Sequence, residues 1–223
     1  DYLEKSLEKD ETSYTVYNAS GWDTDEIAAV PQTALGVYTD GKGTVLTSQQ
    51  GQGVTYVLVK NVPAMGYQRI TFHPGQVEEK KEAFRIEGRE IETPYYILNI
   101  NEQGQIEKLY DKEYQRNVLA PKERGNVLQM FEDKPLDNDA WDIDIYYQQK
   151  MREVTDLKKW EIKEQGPLRL VIGLEWKYMN STIEQEMILY STNRRIDFST
   201  HVDYRERQQL LKAAFPVDIR TTY

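Results

Sequence analysis

The chain of 223 residues contains no cysteine and only two histidines. Without thiols it cannot build a disulfide framework, ligate zinc or an iron–sulfur cluster through sulfur, or use a thiol nucleophile. His73 and His201 are far apart in sequence, so a histidine-rich metal site inside the chain is not expected. No stretch approaches the roughly 18 uninterrupted apolar residues of a spanning helix, and no membrane partner is expected. Positive charge is in deficit, with 28 Lys and Arg against 37 Asp and Glu and a net charge of −9. A nucleic-acid backbone calls for a clustered basic face, so no nucleic-acid partner is expected either. The opening at Asp1 shows no Met, basic n-region or apolar h-region, and hence no visible secretory signal.

What is present points to an all-β globular protein. The hydrophobic share is 39% and the charged share 29%, a globular balance. Sixteen tyrosines favour half-buried sheet surfaces. Residues 1–10 carry leucines four apart, a helical spacing too short to be stable alone, which predicts the tail of a longer helix. From Ser13 the period becomes two. Segments 13–18, 26–30, 35–39, 54–59 and 67–72 read as short strands, punctuated by Gly21-Trp22-Asp23 and Asp40-Gly41-Lys42-Gly43. This pattern predicts a small sandwich over 11–76, ended by a charged boundary at 76–83. Residues 93–100 and 105–110 flank the turn Asn101-Glu102-Gln103-Gly104 and predict a hairpin. Residues 111–150 read as irregular, broken by Pro121, Gly125 and Pro135. Long strands then follow at 160–164, 168–179, 182–190, 195–204 and 213–220, an antiparallel meander within a larger domain over 77–223. The chain stops inside that last predicted strand, so a piece of a longer protein is expected. An unpaired edge and uncovered apolar surface make self-association the expected behaviour.

The densest potential chemistry lies at 131–144, where Asp133, Asp137, Asp139, Asp142, Asp144 and Glu132 surround Trp141 in a proline-broken loop. Oxygen-rich loops can hold calcium, but the order of residues does not match the EF-hand. Carboxylates beside an aromatic face also suit sugar hydroxyls and ring surfaces, and a pair of carboxylates can serve a glycosidase. The bland alternative is an acidic solvated loop with Trp141 tucked against the sheet. Both histidines read as structural or solvated. Asn18-Ala19-Ser20 and Asn180-Ser181-Thr182 fit a glycosylation sequon that also arises by chance. Arg205-Glu206-Arg207 reads as solvated charge near a turn, and Gly41-Lys42-Gly43 does not form a phosphate loop.

Five ordered stretches together carry a family resemblance. They are Thr15-Val16-Tyr17-Asn18 with Trp22, Tyr96–Ile100 through Gly104-Gln105-Ile106 and Leu109-Tyr110-Asp111-Lys112, and Gly125-Asn126-Val127-Leu128-Gln129 to Glu132-Asp133-Lys134-Pro135 with Asp139-Ala140-Trp141-Asp142-Ile143. Arg195-Ile196-Asp197-Phe198 and Leu210-Leu211-Lys212 with Phe215-Pro216-Val217 complete the set. The chain resembles the post-catalytic β region of glycoside hydrolase family 38 α-mannosidases of the bacterial and cytosolic/vacuolar type, with Tyr204 where a tryptophan is common.

The resemblance implies a helix-bundle end over 1–10, the small β-sandwich over 11–76 and the truncated first part of a large galactose-mutarotase-like sandwich over 77–223. It implies a parent that hydrolyses terminal α-mannosides of mannose-containing oligosaccharides with retention, in the cytoplasm. The zinc and catalytic carboxylates would belong to a catalytic domain absent from this chain, so no cofactor is expected within it. Asp139, Trp141, Asp142 and Asp144 are the residues assigned to a substrate-pocket wall or to the interface with the catalytic domain. The chain alone is expected to be inactive. Two alternatives remain at this point: an autonomous carbohydrate-binding module, and a mutarotase-type epimerase, which would need a paired histidine and carboxylate.

Overall fold

The structure is a computed structural model that describes residues 12–76, 82–138 and 141–219. The helix expected over 1–10 lies outside the described residues. These divide into two compact units, one within Asp1–Glu82 plus Gly166–Leu168, the other within Ala83–Gln165 plus Arg169–Tyr223.

The first unit consists of two antiparallel three-stranded sheets. Strands β1 (Ser13–Tyr17), β6 (Tyr67–Pro74) and β3 (Gly36–Asp40) form one, in that order; β2 (Thr24–Val30), β5 (Thr55–Val62) and β4 (Ser48–Gln50) form the other. Alternation explains the core: Ile70 and Phe72 on β6 and Val57, Val59 and Val62 on β5 are buried together with Val30 and Tyr38. Asn18 ties the loop after β1. Its Nδ2 donates to the carbonyls of Trp22 (2.7 Å) and Val62 (3.0 Å), while its Oδ1 accepts from Ser20 N (2.8 Å). That buried amide is structural, and the sequon at Asn18 is therefore inaccessible in the folded chain.

Three sheets make up the second unit. Strands β7 (Arg85–Glu87), β8 (Glu90–Glu92), β9 (Tyr96–Ile100), β10 (Ile106–Asp111) and β11 (Arg116–Asn117) follow one another across a five-stranded sheet. Strand β12 (Val127–Glu132) is the centre of a three-stranded sheet, between β13 (Met151–Glu153) and β18 (Gln209–Ala214). The long strands β14 (Leu157–Gln165), β15 (Arg169–Tyr178), β16 (Ser181–Tyr190) and β17 (Ile196–Asp203) form a meander. Strands β15 and β16 pair without interruption from Arg169↔Tyr190 to Tyr178↔Ser181. The shared core holds Leu98, Ile100, Ile106, Met130, Leu170, Ile172, Trp176, Ile183 and Met187. The all-β class holds, the one helical element among the described residues being a 3-10 turn at Ile145–Gln149.

The sequence motifs turn out to be punctuation that closes turns. Asn101 Oδ1 accepts from Gln103 N (3.0 Å) and Gln105 N (2.9 Å), and Gly104 adopts φ +80 to finish the β9–β10 hairpin. Asp111 Oδ1 accepts from Glu113 N (2.9 Å) and Tyr114 N (3.1 Å), while Arg194 pairs with its Oδ2 at 3.2 Å. Lys112 Nζ reaches Glu92 at 2.8 Å.

Two segments depart from the sequence reading. Residues 127–132, placed in an irregular stretch, form a central strand. Val127, Leu128, Met130 and Phe131 are all buried, so the strand has apolar residues on both faces and no period of two to reveal it. The last strand spans 209–214 rather than 213–220. It pairs with β12 from Val127↔Ala214 to Glu132↔Gln209, and Pro216, which has no N–H to give a ladder, follows its end.

Candidate functional site

Between β12 and β13 the chain leaves the sheet after Glu132, and the 3-10 turn at Ile145–Gln149 leads it back to Met151. This excursion contains the acidic loop. Its base is closed by charge: Glu132 accepts from Lys134 (3.0 Å) and Lys150 (3.0 Å), and its backbone N donates to Lys150 O at 3.0 Å. Those two ammonium groups, Lys150 first, hold the Glu132 carboxyl below the usual carboxylate range. On the returning side Tyr147 packs edge-on against Phe131, ring centres 5.1 Å apart. Lys212 of β18 lies 4.2 Å from the Tyr147 ring centre and bonds its hydroxyl, which lowers the phenol pKa.

The tip is shaped by two of the four singled-out residues. Asp144 Oδ2 accepts from Leu136 N at 2.9 Å, and Asp142 Oδ2 meets Asn138 Nδ2 at 3.4 Å. Asn138 takes φ +53, and its carbonyl accepts from Trp141 N (2.7 Å) and Asp142 N (3.0 Å). Trp141 itself is 89% exposed, so it is not tucked against the sheet. Leu136, Ile143, Ile145 and Tyr146 of the same excursion are also exposed. Asp144 lines a recess of about 170 Å³ with Glu132, Tyr146 and Tyr147; Trp141 and Asp142 stand outside it. Asp139 lies outside the described residues. The structure thus joins Asp142 to Asn138 and Asp144 to Leu136, but it brings no two of the aspartates into contact among the described residues.

A second group was not legible in the sequence. Lys134, Lys150, Arg152 and Arg207 surround a larger pocket of about 480 Å³ beside the excursion. Arg207, read as a solvated charge, is brought there by the pairing of β18 with β12, and no local motif marks that convergence. Its neighbours in the triplet have other partners: Arg205 pairs with Asp203 at 2.8 Å, and Glu206 accepts from Asn180 N and Ser181 Oγ, each at 2.9 Å. Tyr204 is also structural, donating to Gln209 O at 2.7 Å. His73 Nε2 bonds Thr39 Oγ1 at 2.9 Å, far from either recess in sequence and in a different unit. Among the described residues no group of three or more His, Asp or Glu side chains is arranged to hold a metal ion, so the described residues do not fit a zinc site.

Over residues 91–223 the chain matches the family model for the glycosyl hydrolases family 38 C-terminal domain. It is 24% identical over 222 residues to alpha-mannosidase G of Dictyostelium discoideum, covering 92% of this chain and 20% of that protein. It is 31% identical over 111 residues to alpha-mannosidase 2C1 of Mus musculus, covering 48% of this chain and 10% of that protein. The chain therefore spans about a fifth or less of the length of these curated relatives. Two solved structures share its fold at 11% identity: a glycosyl hydrolase family 38 protein from Enterococcus faecalis, with a TM-score of 0.70, and an alpha-mannosidase from Enterococcus faecalis V583, with 0.68. Each covers 94% of this chain, which in turn covers 33% and 32% of theirs. With more than half of its length matched by the family model, the chain belongs to glycoside hydrolase family 38.

Proposed function

We propose that this chain is a non-catalytic β region of an α-mannosidase that hydrolyses terminal α-mannosides of mannose-containing oligosaccharides. In this reading the 133–150 excursion walls the mannose pocket or meets the catalytic domain of the same protein. The single observation that carries it is Trp141, 89% exposed at the tip with Asp142 beside it. An indole face in water costs free energy that a sugar ring or a neighbouring domain would relieve. The Asp142 carboxylate, held by one long hydrogen bond, keeps acceptor capacity for a sugar hydroxyl or an arginine. Family membership supports the substrate class. The retaining, zinc-dependent chemistry and a cytoplasmic location belong to the same proposal, with zinc and the nucleophile supplied outside this chain; no step is routed through the described residues.

The test is Asp142→Asn in the full-length enzyme. Loss of one charged hydrogen bond should lower kcat/KM roughly tenfold, since such bonds contribute about 1.5 kcal/mol or more, with the unfolding curve unchanged. Wild-type kinetics would discard the role. The chain alone, assayed on an aryl α-mannoside with zinc added, is expected to show no turnover. The same exposed indole also favours a second reading, an autonomous carbohydrate-binding module. Saturable binding of mannobiose to the chain alone would select it.

A further inference from the structure

An acidic chain has gathered four cations around one pocket. The pocket of about 480 Å³ opens where the sheet of β13, β12 and β18 runs out beside the β15–β16 turn. Arg152 of β13 pairs across the ladder with Met130 of β12. Arg207 enters from the opposite flank of β12, placed by Gln208, whose φ is +53 and whose carbonyl accepts from Asp133 N at 2.8 Å. Neither guanidinium has an ion-pair partner among the described residues. Lys134 and Lys150 complete the cationic wall, and they share the single carboxylate of Glu132. The wall thus carries four positive charges against one negative, in a chain whose net charge is −9. Other lining residues are different in kind. Met130, Tyr178 and Met179 supply apolar and aromatic surface, and Gln209 is oriented by the Tyr178 hydroxyl, which donates to its Oε1 at 3.0 Å.

Unpaired guanidiniums lining one cavity, one from β13 and one from the segment before β18, present donor forks that match the oxygens of a phosphate monoester, with two ammonium groups to balance its second charge. The volume far exceeds a lone phosphate and lies within the range of small-molecule sites. Amide and methionine surface beyond the cations suits a polyol ring. We infer that this pocket binds a phosphorylated monosaccharide, its phosphate held between Arg152 and Arg207. The phosphate part stands on the geometry alone; the choice of a mannose-type sugar rests on the proposed function.

The test is isothermal titration of the full chain with mannose 6-phosphate, inorganic phosphate and mannose at low salt. Saturable binding of mannose 6-phosphate is expected, tighter than inorganic phosphate, weakening as salt is raised, with no binding of mannose. Both arginines are exposed, so R152Q/R207Q should fold normally and weaken binding by roughly tenfold for each lost charge-assisted contact. Glu132→Gln frees the two lysines and should tighten binding, a change opposite in sign to any loss of fold. Undiminished binding in the double arginine variant, no binding of either phosphate compound, or equal weakening in Glu132→Gln would overturn the assignment. Equal affinity for inorganic phosphate and the sugar phosphate would overturn the sugar component. Because none of these readouts measures hydrolysis, they fail or succeed independently of the mannosidase reading, which the Asp142→Asn kinetics test.

Discussion

Gly104→Ala should be among the most damaging single-methyl additions in this chain. Two costs coincide at this position. Gly104 sits at φ +80, where an added Cβ meets its own backbone at a cost of about 1–2 kcal/mol. The new methyl would also stand 2.5 Å from the six-membered ring of Trp176 and 3.1 Å from Leu157 Cδ1. Trp176 cannot step aside freely, because it is 1% exposed in the core and its Nε1 donates to Gln103 O at 2.7 Å. Overpacking of this kind costs about 1–3 kcal/mol. Together the substitution should remove about 2–5 kcal/mol from a domain whose total stability is of order 5–15 kcal/mol. Urea unfolding followed by tryptophan fluorescence reads it directly, as a lower midpoint and a red-shifted native emission. Gly88→Ala, in the same unit, is the control, since it has φ +61 but open space around the new methyl, and should lose only the conformational part. A midpoint for Gly104→Ala equal to that of Gly88→Ala would refute the packing argument.

Other expectations follow from ion pairs, titration and exposed apolar surface. The Arg169–Glu164 pair, 2.7 Å apart with side chains 13% and 14% exposed, should lose about 3 kcal/mol in R169L, which strands the carboxylate; removing the exposed Lys158–Asp156 pair should cost under ~1 kcal/mol in the same urea assay. Tyr190 is pushed up to about 12, by burial first and then by its hydrogen bond to Asp197. The fold favours the neutral phenol, so this contribution is complete below pH 10 and lost as pH rises towards 12. Y190F should flatten the alkaline limb of a stability–pH curve, and an unchanged limb would refute the assignment. The exposed Trp141 and Ile145 should promote association, so light scattering should give an average mass above the monomer that falls in W141S/I145S; a monomeric wild-type chain would contradict this.

Half-buried strands were legible because alternation survives in them: β6 shows Ile70 and Phe72 inward, with polar residues between. The β9–β10 hairpin was legible through its Asn and Gly, whose roles are local hydrogen bonds and a local dihedral. Strand β12 was hidden because burial on both faces erases the period. The acidic loop was found by composition, while the sequence left open whether Trp141 tucks against the sheet or stands exposed, since nothing in the neighbouring residues says which way an indole will face. The cation group was the least legible. Its members come from β13, the excursion and the segment before β18, and only the ladder of β12 with its two neighbours brings them together.

The clasp at the foot of the excursion separates two kinds of change. Glu132 with Lys150, and Phe131 with Tyr147 and Lys212, fix where the chain departs and re-enters, so the ladder does not depend on what lies between them. Substitution or lengthening of 135–144 is thereby decoupled from folding. The loop behaves as an exchangeable cassette, on which new specificities can be grafted or selected while the sheet beneath keeps its register.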